Sequence, residues 1–485
     1  MKKIFIHSYL TYLLSLLIVL LLIFFHFRGI IYYDEGYILN SALRITHGQI
    51  PYRDFDMVYT PLSFLGTAFF FHLFGASVFS GRLTALVVSL FSVFAIYKIV
   101  IKLTGNKLYT FLSIFFFIAW GPTHINFPWP TMFALCLTLY ALLFYQKAIQ
   151  EKNPKHFFWM GVMAVLIFFS KQNFGAGMII LFLIPVIFLR VKRLYSILYY
   201  IAGLSAITII ALTLMLVTHS FIPFLNNLYV YTFMKIIAEK TIDTPFLYDG
   251  TIVVRILKFF FYLSPLIFAG CAFYMTIKKK KQSLLIIPIT VAVIYLLGIR
   301  PVTDYDHLGP LLAISGMTFP ILFLLIENNM LKKFIFFGCI GMVLLGFYTA
   351  YFSGYYKWET PLEYNTIFAT NPRLHIFMTQ ETLTKSAQLK QYIDSYTKPN
   401  EPIFINYYSP FIYFLADRPD ASRYDYISPT AIPLFYQQNT IAILQKKHVR
   451  LILALGENEQ SPIANYIRKN YHLTKKISDY DIYTR

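Results

Sequence analysis

The chain has 485 residues, of which 57% are hydrophobic, 19% aromatic and only 13% charged. That balance excludes an ordinary soluble domain and points to a polytopic membrane protein. The formal net charge of +19 and three scattered cysteines exclude neither on their own, but no CxxC or Cys/His cluster suggests zinc, and no disulfide framework is visible.

The first apolar run, 7–27, follows Lys2 and Lys3. It is long for a signal-peptide h-region and no A-x-A-like site follows, so it reads as a retained first span with a cytoplasmic N-terminus. The next stretch, 32–61, holds four carboxylates, Asp34, Glu35, Asp54 and Asp56, in a chain with 23 Asp and Glu. Acids beside a bilayer are costly unless water, a partner or a substrate compensates them. This loop is therefore where chemistry is expected. Ile38, Leu39, Ala42, Leu43 and Ile45 give a short helical stripe, with Asp34 as expected N-cap and Gly48 and Pro51 past its end. Thr60-Pro61 is expected to cap and open a second helix, running to Phe74 and stopped by Gly75. That helix is short for a span and is expected along the interface.

Ten further spans are expected at 81–101, 108–121, 130–147, 157–170, 174–190, 194–217, 256–276, 282–299, 309–326 and 333–352, eleven in all. The loops this order places inside carry 17 Lys and Arg against two acids, whereas the outer loops before 353 hold nine acids. The bias orients the chain and explains its basic balance without nucleic acid. It puts the acidic loop and the C-terminal tail on one outer side. Residues 218–255 read as a long outer loop. Residues 353–485 read as a small extracytoplasmic α/β domain: helix 384–396, strand 402–407, helix 409–415, helix 439–448, strand 449–455, helix 462–470 and a last strand or hairpin at 473–483. The expected division is a transmembrane domain, 1–352, with a large first outer loop, 28–80, and the α/β domain, 353–485.

Four constellations could carry chemistry. Asp34-Glu35 opens a helix, where a carboxylate can serve the helix dipole or act as a base. Asp54-x-Asp56 and Asp304-x-Asp306 have the spacing of a divalent-cation pair beside a phosphate, so a divalent metal ion is compatible, and no other cofactor is indicated. Lys171-Gln172-Asn173 offers a point charge and amide partners for a phosphate or sugar; the plain alternative is an interfacial loop with a snorkelling lysine. Arg300 and His307 bracket a polar outer loop that could meet an anionic headgroup, or pair with Asp304 and Asp306. Trp120, His124, Asn126 and Trp129 mark the second outer loop, where tryptophans more often anchor at the interface.

Taken together, Tyr33-Asp34-Glu35-Gly36-Tyr37, Gly48-x-x-Pro51-Tyr52-Arg53-Asp54 and Thr60-Pro61-Leu62 resemble the GT-C type membrane glycosyltransferases, in the protein O-mannosyltransferase and aminoarabinose-transferase-like superfamily. The resemblance is specific over 30–62 and architectural over 1–350. It implies a sugar donor on a polyprenyl phosphate and an acceptor lipid, glycan or protein at the outer face of the plasma (inner) membrane. It implies Asp34 as the catalytic carboxylate with Glu35 beside it, Lys171, Arg300 and His307 as donor-phosphate contacts, and Tyr52, Arg53, Asp54, Gln172 and Asn173 on the substrate. Several relatives carry a second acid in the second outer loop, whereas 120–130 here has only His124 and Asn126. A transporter or flippase of lipid-linked sugars is the rival, although no internal repeat is visible.

Overall fold

A computed structural model describes residues 2–188, 192–238, 251–299, 305–353, 367–424, 434–455 and 461–485. It is mostly helical, and it divides into two compact units. The first comprises 1–27, 82–215 and 230–356. The second comprises 28–81, 216–229 and 357–485. The acidic loop and the C-terminal segment thus belong to one unit.

Each of the eleven apolar runs is helical over most of its described residues. Seven described helices are long and apolar enough to cross a membrane: Tyr9–His26, Val78–Thr104, Pro130–Gln150, Arg193–Val217, Lys258–Lys278, His307–Leu325 and Asn329–Phe352. Lys107–Trp120, His156–Ser170, Gln172–Phe188 and Gln282–Gly298 are shorter. Their outward residues are apolar, with Leu13, Ile180, Ile209, Phe260 and Phe334 all more than half exposed. Such a surface is stable in lipid and not in water, so this is an integral membrane protein.

Two close approaches shape the first unit. A Cβ on Gly203 would lie 2.0 Å from the Phe158 carbonyl oxygen, and one on Gly161 would lie 2.4 Å from that of Tyr200. Paired glycines let helices 156–170 and 193–217 touch backbone to backbone, the usual role of small residues between apolar helices.

In the second unit the C-terminal segment is an α/β layer structure close to the expected order. A two-stranded ribbon, β1 (Ile367–Phe368) and β2 (Phe377–Met378), precedes a four-stranded sheet of β3 (Phe404–Asn406), β4 (Leu451–Ala454), β5 (His472–Ile477) and β6 (Tyr480–Thr484). The sheet order is β3-β4-β6-β5, with β3 parallel to β4 and the other pairs antiparallel. β4 is buried along its whole length, as a strand covered on both faces must be. Leu451 and Leu453 pack in one core with Leu389, Ile393 and Ile412. Ile452 and Ala454 pack in a second with Leu444, Ile463 and Ile467. Alternation along one strand therefore feeds two apolar layers.

One expectation fails. Residues 218–255 are not simply a loop, because Phe221–Ala238 is a helix. Pro223 falls in its first turn, where a missing N–H costs nothing.

Candidate active site

The acidic loop begins the second unit. Helix Asp34–Thr46 has Tyr33 in the capping position, without a side-chain cap bond. The expected cap is thus corrected: Asp34 is the first helical residue, and its Oδ1 accepts a 2.7 Å hydrogen bond from the Tyr408 hydroxyl. Its carboxylate still sits in the first turn, where the helix dipole favours negative charge. The Tyr33 ring stacks on Tyr408 at 5.9 Å and meets Tyr407 edge-on at 6.1 Å. Burial, then the charge of Asp34, pushes the Tyr408 hydroxyl well above its ordinary pKa, so it is held as a donor.

Glu35 is fully buried, and its Oε2 accepts from the Ile31 N–H at 3.1 Å. It ties down the turn that feeds the helix. Gly36 faces the Phe411 backbone so closely that a Cβ would lie 2.5 Å from its nitrogen and 2.7 Å from its Cα. The far end is a Schellman motif: Gln49 N–H donates to Arg44 C=O and Gly48 N–H to Ile45 C=O, both at 3.0 Å, with Gly48 at φ +81°. The next helix starts at Leu62, with Pro61 rather than Thr60 in the capping position.

Between these helices the DxD carboxylates take separate partners. Asp54 Oδ2 accepts from Ile50 N–H at 2.7 Å, and Asp54 N–H donates back to Ile50 C=O at 2.9 Å, closing a tight loop. The neighbouring Arg53 guanidinium holds the Asp54 carboxyl below the usual range. Arg53 also reaches the Thr218 carbonyl at 3.4 Å. Tyr52, in the left-handed region at φ 67°, is buried with its hydroxyl on Tyr59 C=O at 2.9 Å. Asp56 is buried and pairs with Arg423 at 3.0 Å; burial raises its pKa and Arg423 opposes the rise. Arg423 further donates to the Tyr52 and Arg53 carbonyls, each at 2.9 Å. Met57 N–H donates to Asn227 Oδ1 at 3.2 Å, which fastens the loop to the helix at 221–238. Among the described residues no three His, Cys, Asp or Glu converge as a metal site.

In the first unit Lys171 ends helix His156–Ser170 in an extended conformation. Its Nζ donates to Thr131 Oγ1 at 2.8 Å and lies 4.6 Å over the Phe174 ring, and the side chain is buried. Gln172 opens the following helix. Asn173 Nδ2 donates to Leu297 C=O at 2.9 Å. A Cβ on Gly175 would lie 2.0 Å from Phe168 Cα, so glycine is what lets the second helix fold back across the turn that carries Lys171. His307 is half-buried in helix Tyr305–Ser315. Arg300 and Asp304 lie outside the described residues, as does the side chain of Asp306. His124 stacks on Trp120 at 5.7 Å.

Sequence reasoning missed Tyr408, Arg423 and the fully buried Arg82, whose Nη1 donates to His26 C=O at 3.0 Å. One signal for Tyr408 existed. It sits between a strand and a Ser-Pro helix start, and α/β folds place function beyond the carboxyl ends of their strands.

Residues 59–216 match the family model of dolichyl-phosphate-mannose-protein mannosyltransferases. The match begins after the Asp34 motif and covers Lys171, Gln172 and Asn173. No curated protein matches the chain. Among solved structures, ArnT from Cupriavidus metallidurans bound to undecaprenyl phosphate is similar at a TM-score of 0.61 and 10% identity, covering 98% of each chain. The same protein in the apo state gives 0.61 and 11%, again over 98% of each chain. At that identity the likeness is one of fold.

Proposed function

We propose that this chain, whose resemblance to the GT-C type membrane glycosyltransferases is borne out by the family match and the fold, moves a sugar from a polyprenyl-phosphate donor to an acceptor hydroxyl or phosphate. The observation that carries the reading is the Asp34 carboxylate, part-buried at a helix start and held by the Tyr408 hydroxyl. The fold neighbour's bound undecaprenyl phosphate supports the donor class. The site is read as facing the outer side of the plasma membrane, with the N-terminus inside and residues 353–485 outside. Nucleotide sugars are confined to the cytoplasm, and a lipid-borne donor suits such a site.

In this reading Asp34 accepts the proton of an acceptor hydroxyl as general base. The acceptor oxygen bonds to the anomeric carbon while the bond from that carbon to the phosphate oxygen breaks. The electron pair leaves with the lipid phosphate, and Lys171, Arg300 and His307 stabilise the charge that develops there. Attack opposite the leaving phosphate inverts the anomeric centre. Glu35 shapes the site rather than reacting. Arg53, Asp54, Gln172 and Asn173 are read on the substrate side, with the buried Tyr52 bracing the loop of Arg53 and Asp54 through its bond to the Tyr59 carbonyl.

The test is reconstitution of the purified protein in vesicles with polyprenyl-phosphate-linked sugars, alongside mass comparison of envelope glycans and lipids with and without the gene product. A new glycosylated product supports transfer. Movement of the donor across the vesicle wall with no product would identify a flippase.

A further inference from the structure

We propose that Tyr408 is the positioning residue for Asp34, so that the C-terminal α/β segment is a working part of the active site; this rests on the reading of Asp34 as the base. Three observations converge on the same helix start, and a fourth holds the loop that follows the helix. Tyr408 reaches Asp34 itself at 2.7 Å. The Tyr32 and Ser386 hydroxyls bond at 2.8 Å. Phe411 N–H donates to Tyr32 C=O at 3.4 Å, and its backbone fills the notch over Gly36. Arg423 holds Asp56 and the carbonyls of Tyr52 and Arg53. These partners lie more than 350 positions from the loop they hold.

Tyr408 is itself set by a rigid frame. It follows β3, whose Ile405 N–H donates to the Tyr413 hydroxyl at 2.8 Å. The next residue, Ser409, accepts at Oγ from the buried Tyr480 hydroxyl at 2.7 Å, and its N–H donates to Tyr407 C=O at 2.9 Å. Tyr33 stacks on the ring. A donor fixed this way fixes the rotation of the Asp34 carboxylate plane. During transfer the acceptor's proton goes to Asp34 and Tyr408 keeps its own, which its burial favours. The hydroxyl therefore contributes orientation and charge stabilisation without changing the proton balance. Misplacing a reacting group by about 1 Å can cost on the order of 10²-fold in rate.

Tyr408→Phe removes the hydroxyl and keeps the ring on Tyr33. In the reconstituted full chain its kcat should fall by about 10-fold to 100-fold, with the donor KM and the thermal midpoint near those of the parent. In an Asp34→Asn background the same change should cause no further loss in kcat. Parental kcat in Tyr408→Phe, or an equal fractional loss in the Asp34→Asn background, overturns the inference. If the Phe variant fails to fold, Tyr408→Gln and Tyr408→Met decide it: only Gln carries a donor at similar size, and equal turnover in the two overturns the idea. The reading of Asp34 fails separately, if Asp34→Asn alone turns over near the parental rate.

Discussion

Arg423→Met removes the guanidinium that ties the C-terminal segment to the acidic loop, while keeping much of the aliphatic stem. It breaks the ion pair to Asp56 and two bonds to the Tyr52 and Arg53 carbonyls. Stripping one partner from a fully buried pair costs about 3–5 kcal/mol, whereas an exposed pair is worth about 0–1 kcal/mol. The Asp56 side chain is 10% exposed and that of Arg423 36%, so water reaches one end of the pair. The expected loss is about 2 kcal/mol, between those limits. The sign with pH follows from Asp56. Burial already raises its carboxyl above the ordinary value, and Arg423 opposes that rise. Without Arg423 the folded-state pKa rises further, so protonation favours the folded loop. The deficit should therefore be full at pH 8 and shrink as the pH falls toward the unfolded value near ~4. Hydrogen exchange in detergent at the Tyr52 and Met57 amides, corrected for intrinsic rates, reads the loop opening. About 2 kcal/mol corresponds to roughly 30-fold faster exchange. Protection equal to the parent, or a deficit independent of pH, would refute the assigned role of the pair.

Three further substitutions test the packing that carries the site. Gly36→Ala puts a Cβ against the Phe411 backbone, which cannot swing away like a side chain; it should cost about 1–3 kcal/mol and loosen the C-terminal segment, seen as faster proteolysis there. Gly175→Ala meets Phe168 Cα in the turn that carries Lys171, and should lower the thermal midpoint and raise the donor KM together. Arg418→Met removes a buried guanidinium bonded to Thr397, Ala416 and Asp394, so a stability loss of about 3 kcal/mol is expected by thermal unfolding in detergent.

What the sequence made legible was local. Apolar runs give the eleven helices, because hydrophobic length is written directly in composition. Alternation and turn residues give the C-terminal order, and helix Pro462–Asn470 falls on its expected bounds. The helix at 221–238 escaped because it lies within 218–255, a stretch read whole as an outer loop, although Asn227 is what fastens Met57. The DxD at 54–56 looked like one site because its residues are neighbours in sequence, yet each acid answers a different cation, Arg53 and Arg423. Asp34 was legible as a carboxylate at a helix start. Its true partner was not, because Tyr408 lies 374 positions away and no periodicity encodes a contact at that range.

The central claim is that Asp34 is the base, and Asp34→Asn tests it most directly. Asn keeps an oxygen that can accept from Tyr408, so the helix start and the bond from the C-terminal segment can persist. It cannot take a proton and carries no charge. With a polyprenyl-phosphate sugar and a competent acceptor, turnover should fall by roughly 10²-fold or more, with donor binding and thermal midpoint close to the parent. A turnover within a few-fold of the parent would contradict the account and leave Asp34 as a structural residue of the loop.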